Sequence, residues 1–234
     1  MDYKKYHRDR DYLENEGLFK NIFTKRFNIL KRFIKQPGKV LDIGASTGTM
    51  LDVFKEHGWQ TWGVEPSESA LVAENKGHGI IHNYFEDVIL KNNSFDLVIL
   101  NHTLEHLDDP VGILTKVRRI LRNSGTVFVD VPNFGSLSSK ILKKCWPYLA
   151  PEEHKHQFTK QSLGQILKKS GFKVIYWESR SGIFEYANPL LELYQSLVGL
   201  KKRFITDLLI FPYSLVATLL NMGDSMSFVG KKVN

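Results

Sequence analysis

Short apolar runs alternate with helical patterns along most of the chain. Apolar positions spaced three or four residues apart predict helices, most clearly over residues 108–121, and near-continuous apolar runs predict buried strands. The predicted strands cover residues 40–43, 61–65, 79–83, 95–100, 126–131 and 172–177. Strands that alternate with helices predict an α/β domain with a mainly parallel sheet.

The first predicted strand runs into a turn that has glycines at both ends. Gly44 follows the apolar run directly, and Gly48 precedes the next helical segment. Glycine allows backbone torsions closed to other residues, and a helix start offers free N–H groups to a ligand. Glu65 ends the second strand about twenty residues further on, where a nucleotide-binding unit places the acid that bonds ribose hydroxyls.

The turn sequence resembles the first motif of the class I S-adenosylmethionine-dependent methyltransferases: it reads Asp42-Ile43-Gly44-Ala45-Ser46-Thr47-Gly48. Ser46 replaces the middle glycine of that motif. A dinucleotide dehydrogenase would need Gly-x-Gly-x-x-Gly, which this spacing does not give. The resemblance covers residues 38–182 and a last strand at 227–232. It implies a Rossmann-like three-layer sandwich with a seven-stranded, mostly parallel sheet and an antiparallel last strand.

The resemblance implies S-adenosyl-L-methionine as the cofactor and assigns residues to its parts. Asp42 would lie near the methionine amino end, Glu65 at the ribose, and Phe85 and Glu86 near the adenine. The expected cofactor contacts are Asp42, Gly44, Ala45, Gly48, Glu65, Pro66, Phe85, Glu86, Asn101 and His102. The last two follow the fourth strand, at the edge where open α/β sheets bind ligands.

Histidines are the candidates for a general base. Methyl transfer is a direct displacement, so holding the acceptor in line with the methyl group supplies most of the catalysis. A hydroxyl acceptor also benefits from a base near neutral pH. We expect His102, His106 and His156 to be the catalytic candidates, with His154 close to them in sequence. A structural role stays open for His106 and His156.

We expect no metal site. The ubiquinone-pathway O-methyltransferases and the small-RNA 2′-hydroxyl methyltransferases carry Glu-x-x-Glu-His in this region, and these side chains can hold a divalent metal there. Here His102 stands in the place of the first Glu, before Glu105 and His106. Losing a carboxylate weakens a Mg²⁺ site, whereas an imidazole-rich set would suit Zn²⁺ better.

The charge of the chain narrows the choice of partner. A net charge of +7 and a pI of about 9.3 favour an anionic partner. The chain has no dense Lys/Arg tract, so we expect no specific nucleic acid partner. The single cysteine, Cys145, excludes an internal disulfide and a Cys-based zinc site. The charged, aromatic start is unlike a signal peptide and indicates a cytoplasmic protein.

We divide the chain into a helical segment at 1–36, a methyltransferase core at 37–182, a helical insertion at 183–222 and a final strand at 223–234. The insertion is apolar, but Asp207 and Pro212 interrupt it before the roughly twenty residues that a spanning helix needs. We favour a cap over the substrate pocket or a homodimer contact. The alternative is a peripheral contact with the inner face of the membrane, aided by basic residues 201–203.

The sequence therefore predicts a methyltransferase for a small-molecule acceptor, with an oxygen of a sugar, glycan or related metabolite as the target. Two alternatives stay open. One is a quinone-type or lipid-linked O-methyltransferase at the membrane surface, and the other is a cofactor-binding scaffold without turnover.

Overall fold

The computed structural model describes residues 13–199 and 202–233, and for Lys202 and Arg203 it describes the backbone alone. Part of the predicted N-terminal segment, residues 1–12, lies outside the described residues. The rest of that segment forms helix α1 (Glu16–Leu30), which contributes Phe23, Phe27 and Leu30 to the core.

One sheet organises the described part of the chain. Its strand order is β3-β2-β1-β4-β5-β7-β6, in which β1 to β5 are parallel neighbours and β7 pairs antiparallel with both β5 and β6. The strands are β1 (Lys39–Ile43), β2 (Gln60–Val64), β3 (Gly79–Ile81), β4 (Phe95–Asn101), β5 (Leu121–Pro132), β6 (Phe172–Arg180) and β7 (Ser225–Lys232). The predicted Rossmann-like sheet with an antiparallel last strand is confirmed.

Helices cover both faces of the sheet. The remaining ones are α2 (Thr49–Glu56), α3 (Ala70–Asn75), α4 (Pro110–Ile120), α5 (Leu137–Leu142), α6 (Lys160–Lys169), α7 (Pro189–Val198) and α8 (Lys202–Leu219). Side chains from α1 and α2 pack on one face, and side chains from α4 and α6 pack on the other. These two apolar layers give the three-layer architecture.

Two predicted element boundaries are wrong. We assigned Leu121 to the end of a helix, but it begins β5 and pairs with Phe95. A buried leucine satisfies either position, so the apolar pattern could not separate them. Residues 134–160, which the sequence predicts as a loop, contain α5, whose N-cap Ser136 accepts the Ser139 N–H through its hydroxyl at 3.1 Å.

The strand order reverses between β1 and β4, which are neighbours at the centre of the sheet. In open α/β sheets ligands bind outside the carboxyl ends of the strands at such a reversal. The glycine turn after β1 and the polar residues after β4 therefore meet at one crevice.

The predicted insertion forms two helices, α7 and α8, which pack on each other between β6 and β7 in the chain. Asn21 of α1 holds α7 in place, because its side-chain oxygen accepts the Asn188 N–H at 3.0 Å. Across the described residues, we find no helix with the length and apolar content needed to cross a bilayer.

Candidate active site

The turn after β1 requires glycine at both of its predicted positions. Gly44 has φ +79°, and a Cβ placed on it would lie 2.6 Å from the hydroxyl oxygen of Thr103. Gly48 has φ +75°, and a Cβ there would lie 2.8 Å from the Ala73 methyl. Ser46, which replaces the family's middle glycine, keeps a left-handed φ of +45°. Ser46 therefore adopts the left-handed backbone conformation that glycine favours, so the substitution preserves the path of the turn.

A pocket opens over this turn and contains two buried oxygen atoms without partners. Asp42 Oδ1 and Asn101 Oδ1 accept no hydrogen bond from any described residue. Burial, and then the charge of nearby Glu65, raise the pKa of Asp42 well above its usual value. A cationic group in this pocket would supply the missing partner. The lining residues are Phe23, Asp42, Gly44, Ala45, Ser46, Thr47, Thr49, Met50 and Asn101.

Glu65 holds the walls of the pocket together. Its buried carboxylate accepts the Ser46 N–H at 2.8 Å through Oε2 and the Ser67 N–H at 2.9 Å through Oε1. These bonds tie the turn after β1 to the segment after β2, where Pro66 is half-buried. Each carboxylate oxygen has a second lone pair that these bonds do not use, so Glu65 can also accept a hydrogen bond from a ribose hydroxyl. The expected ribose contact stays a prediction.

A lysine on α4 holds the segment that we expect near the adenine. Phe85 is a core residue, only 3% exposed, and the Glu86 side chain is exposed. The Lys116 ammonium donates to the carbonyls of Phe85 at 2.5 Å and Glu86 at 2.9 Å. Each carbonyl keeps a second lone pair, so the expected contact of this main chain with adenine stays a prediction, whereas the buried Phe85 ring offers little surface for it.

His102 lies at the carboxyl end of β4, beside the pocket residue Asn101. Its backbone is in the left-handed region at φ +52°, and its N–H donates to the Asp130 carbonyl at 2.8 Å. Ring atom Nδ1 is 3.5 Å from Glu105 Oε1, and Nε2 is 3.5 Å from Asp130 Oδ1. Burial alone would lower the pKa of His102, but these two carboxylates outweigh it and raise that pKa above its usual value.

Asp130 anchors a buried ionic network that sequence reasoning missed. Arg180 donates to its carboxylate at 2.5 Å, and the Arg26 Nε lies 3.4 Å away. The hydroxyls of Ser225 and Ser227 donate to the same carboxylate. Burial would raise the pKa of Asp130, yet the two arginines hold it well below its usual value. An acid inside an otherwise apolar strand was the available signal.

The other predicted histidines fasten the loop before α6. His106 Nδ1 bonds the Glu153 carbonyl at 2.9 Å, and burial lowers the pKa of His106. His156 Nε2 bonds the Asp108 carbonyl at 3.1 Å. Neither histidine lines the pocket over the glycine turn. Of the predicted site residues, Asp42, Gly44, Ala45 and Asn101 line this pocket. His102 does not line it but directly follows Asn101 in the chain.

Glu105, His106 and His154 form a cluster whose ligand atoms all lie within 4.8 Å of one another. The imidazole of His154 also bonds a carbonyl, that of Tyr148, through Nδ1 at 2.8 Å. Both carboxylate oxygens of Glu105 are buried without a hydrogen bond from the described residues. Such a set has the side-chain types of a transition-metal site, so the expectation of no metal has to be tested here.

The chain is similar in sequence to known proteins. The chain is 27% identical over 175 residues to an uncharacterized protein of Methanocaldococcus jannaschii, covering 71% of this chain and 78% of that one. It is 28% identical over 142 residues to the C-methyltransferase NovU of Streptomyces niveus, covering 58% of this chain but only 33% of NovU.

The fold has solved counterparts. A SAM-dependent methyltransferase from Thermotoga maritima aligns with a TM-score of 0.63 and 21% identity, over 97% of this chain and 98% of that one. A family model described as a methyltransferase domain matches residues 15–176. With the glycine turn and its unpartnered acid, this match shows that the chain belongs to the methyltransferase domain family and is an S-adenosylmethionine-dependent enzyme.

Proposed function

We propose that this enzyme transfers a methyl group to an oxygen of a small-molecule acceptor, a sugar, glycan or related metabolite, with His102 as the general base. The position of His102 carries the proposal. It follows the pocket residue Asn101, its side chain is 28% exposed, and Glu105 and Asp130 flank its two ring nitrogens.

The residues around the glycine turn would hold the cofactor. The free oxygens of Asp42 and Asn101 suit its ammonium group, Glu65 its ribose, and the backbone of Gly44, Ala45 and Gly48 the atoms between. When bound, the cofactor supplies an electrophilic methyl group on a sulfonium. The half-buried site would exclude water and align the acceptor with it.

His102 would take the proton of the acceptor hydroxyl. Each ring nitrogen has a carboxylate oxygen 3.5 Å away, so the nearby negative charges would stabilise the imidazolium formed by proton transfer. Asp130 and Glu105 would act as positioning residues in this arrangement. His106 and His156, each bonded to a backbone carbonyl, suit a structural role better than a catalytic one.

Replacing His102 with Gln is expected to lower kcat by about 10²- to 10⁴-fold, as loss of a general base usually does. Because the pKa of His102 is raised, wild-type activity should increase with pH through a midpoint above about 6.5, where the imidazole loses its proton. The variant should lose this midpoint. Steady-state kinetics across pH measure both effects.

His82→Gln is the matched control, since that histidine is on the surface beside Glu74 and directly follows β3, which β2 and β1 separate from β4 in the sheet. It should leave kcat and the pH profile unchanged. If His102→Gln retains full activity, or loses cofactor affinity as strongly as activity, His102 is not the base.

The acceptor itself is identified by screening. Purified enzyme and cofactor would be offered hydroxylated sugars and glycans, and quinol-type or lipid-linked hydroxyl compounds in detergent, with release of demethylated cofactor as the signal. We expect turnover with the first group. Turnover with the second group alone would select the alternative acceptor class, and a methylated carbon or nitrogen in the product would remove the oxygen assignment. Membership in an enzyme family sets the scaffold alternative aside.

Metal dependence is tested separately. We expect the purified enzyme to contain no stoichiometric metal and to keep its activity after dialysis against EDTA, because the chain has one carboxylate where the Glu-x-x-Glu-His pattern has two. Elemental analysis measures the content directly. One equivalent of a transition metal that Glu105→Gln removes would contradict this prediction and assign the metal to the Glu105, His106 and His154 cluster.

A further inference from the structure

The helical hairpin α7–α8 is inverted with respect to an ordinary surface helix pair. Its buried side chains include polar and charged ones: Glu192 and Ser196 on α7, Asp207 and Ser214 on α8. A surface helix of a globular protein normally turns its apolar stripe inward and its charged residues outward. The hairpin therefore buries polar side chains against the protein and leaves large apolar side chains exposed.

We call the solvent-facing side of this hairpin the outer apolar face. It consists of large apolar side chains that are each at least 45% exposed: Leu190, Leu191, Tyr194, Leu197, Val198, Ile205, Leu208, Leu209, Val216, Leu219 and Leu220. On α8 they recur at intervals of three, four and seven residues, which places them on one helical stripe. Monomeric proteins rarely expose so continuous an apolar surface, so it requires a partner.

The charge of the chain argues for an anionic partner. In the sequence, the basic run Lys-Lys-Arg at 201–203 follows α7 and overlaps the start of α8, and the chain carries +7 overall. A symmetric dimer through this face would bring two copies of the basic run toward each other, whereas anionic lipid headgroups attract it. Lys143 and Lys144 add exposed cations after α5, which begins beside the end of α8 through the Leu137 N–H bond to Met222.

We propose that the outer apolar face docks this enzyme on the surface of an anionic lipid bilayer. Neither helix spans the bilayer: the apolar side chains enter the boundary between headgroups and acyl chains, and the basic residues contact the headgroups. This binding is independent of the reaction and of the identity of the acceptor. It goes beyond methyl transfer, because it concerns where the enzyme works and not what it modifies.

Flotation with lipid vesicles tests the proposal. Wild-type protein is expected to float with vesicles of phosphatidylglycerol and phosphatidylcholine and to bind pure phosphatidylcholine at least about tenfold more weakly, since each nearby Lys or Arg strengthens binding to anionic lipid. Salt should weaken the binding without abolishing it, because the apolar contribution persists. The double variant Leu209→Glu/Leu219→Glu should lower partitioning by about tenfold or more.

Ile89→Glu is the matched control, because Ile89 is 98% exposed and lies outside the hairpin. It should bind vesicles like the wild type. Both variants should keep the wild-type Tm and its increase on cofactor addition, which separates lost docking from lost folding or lost cofactor binding. Absence of flotation, or equal flotation of the double variant, overturns the proposal. So does a stable dimer in sedimentation analysis that the double variant dissociates, which would assign the face to a second copy.

Discussion

Replacing Asp130 with Ala is expected to lower the free energy of unfolding by about 3–5 kcal/mol, the usual cost of removing one partner from a buried ionic network. The carboxylate is fully buried. It accepts hydrogen bonds from Arg180 and two serine hydroxyls and forms an ion pair with Arg26. Without it, the two guanidinium groups lose their fully buried counter-charge and keep only the partly exposed carboxylates of Glu185 and, for Arg180, Glu178. Denaturant unfolding followed by circular dichroism measures the loss.

Asp130→Asn separates charge from shape, because it keeps the side-chain volume and should retain most of the destabilisation. Glu56→Gln removes a surface partner of Lys20 and should cost at most about 1 kcal/mol. If Asp130→Asn costs no more than this control, the network does not hold the carboxyl end of the sheet together.

The same carboxylate sets an acid limit on stability. Its pKa in the folded protein lies below the value near 3.9 of an unfolded chain, so its contribution is present above about pH 4 and is lost as the pH falls further. The Asn variant should therefore show a shallower decline of stability in acid. It should also move the pH midpoint of activity downward, because Asp130 helps to raise the pKa of His102.

Replacing Asp42 with Asn is expected to lower cofactor affinity by about 10- to 100-fold, while the free protein stays as stable or becomes more stable. The reason is that Asp42 is buried with one unpartnered oxygen, and its raised pKa shows that the ionised form is disfavoured in the fold. The cofactor ammonium restores that ionised form. Calorimetric titration gives the affinity, and thermal unfolding gives the stability.

The raised pKa of Asp42 also predicts how stability and cofactor affinity change with pH. A raised carboxyl pKa means that the folded protein gains stability at low pH and loses it as the pH rises through that pKa. Cofactor affinity of the wild type should rise over the same interval, and the Asn variant should not follow it. Asp108→Asn, whose carboxylate is 83% exposed, is the control and should bind cofactor normally. A variant of Asp42 with unchanged affinity would remove it from the cofactor site.

The sequence predicted the parts of the fold that depend on local pattern. Residues 95–100 form β4 almost as expected, because a strand buried on both faces is a continuous apolar run. The glycine turn could also be predicted from the sequence. Positive φ angles and close contacts require glycine at positions 44 and 48, so the two glycines occur at a recognisable spacing. The start of β5 was not, because a single buried leucine fits the end of a helix as well as the start of a strand.

Contacts between distant residues could not be predicted in this way. Arg180 meets Asp130 from 50 positions away, and no periodicity in one sequence connects them. Similarly, the apolar content of residues 183–222 led us to favour a cap or a homodimer contact, but it did not show which side chains face the protein. The structure turns polar residues inward, where Asn21 and the residues after β6 offer hydrogen bonds.

The placement of β7 has a consequence for how the chain is made. Among the described strands β6 is bonded to β7 alone, and β7 follows the α7–α8 hairpin in chain order. A growing polypeptide on the ribosome therefore exposes β6 and the hairpin before the strand that secures them has emerged. During that interval Ser225 and Ser227 are not yet available to Asp130, so the buried network around Asp130 is completed only after β7 has emerged.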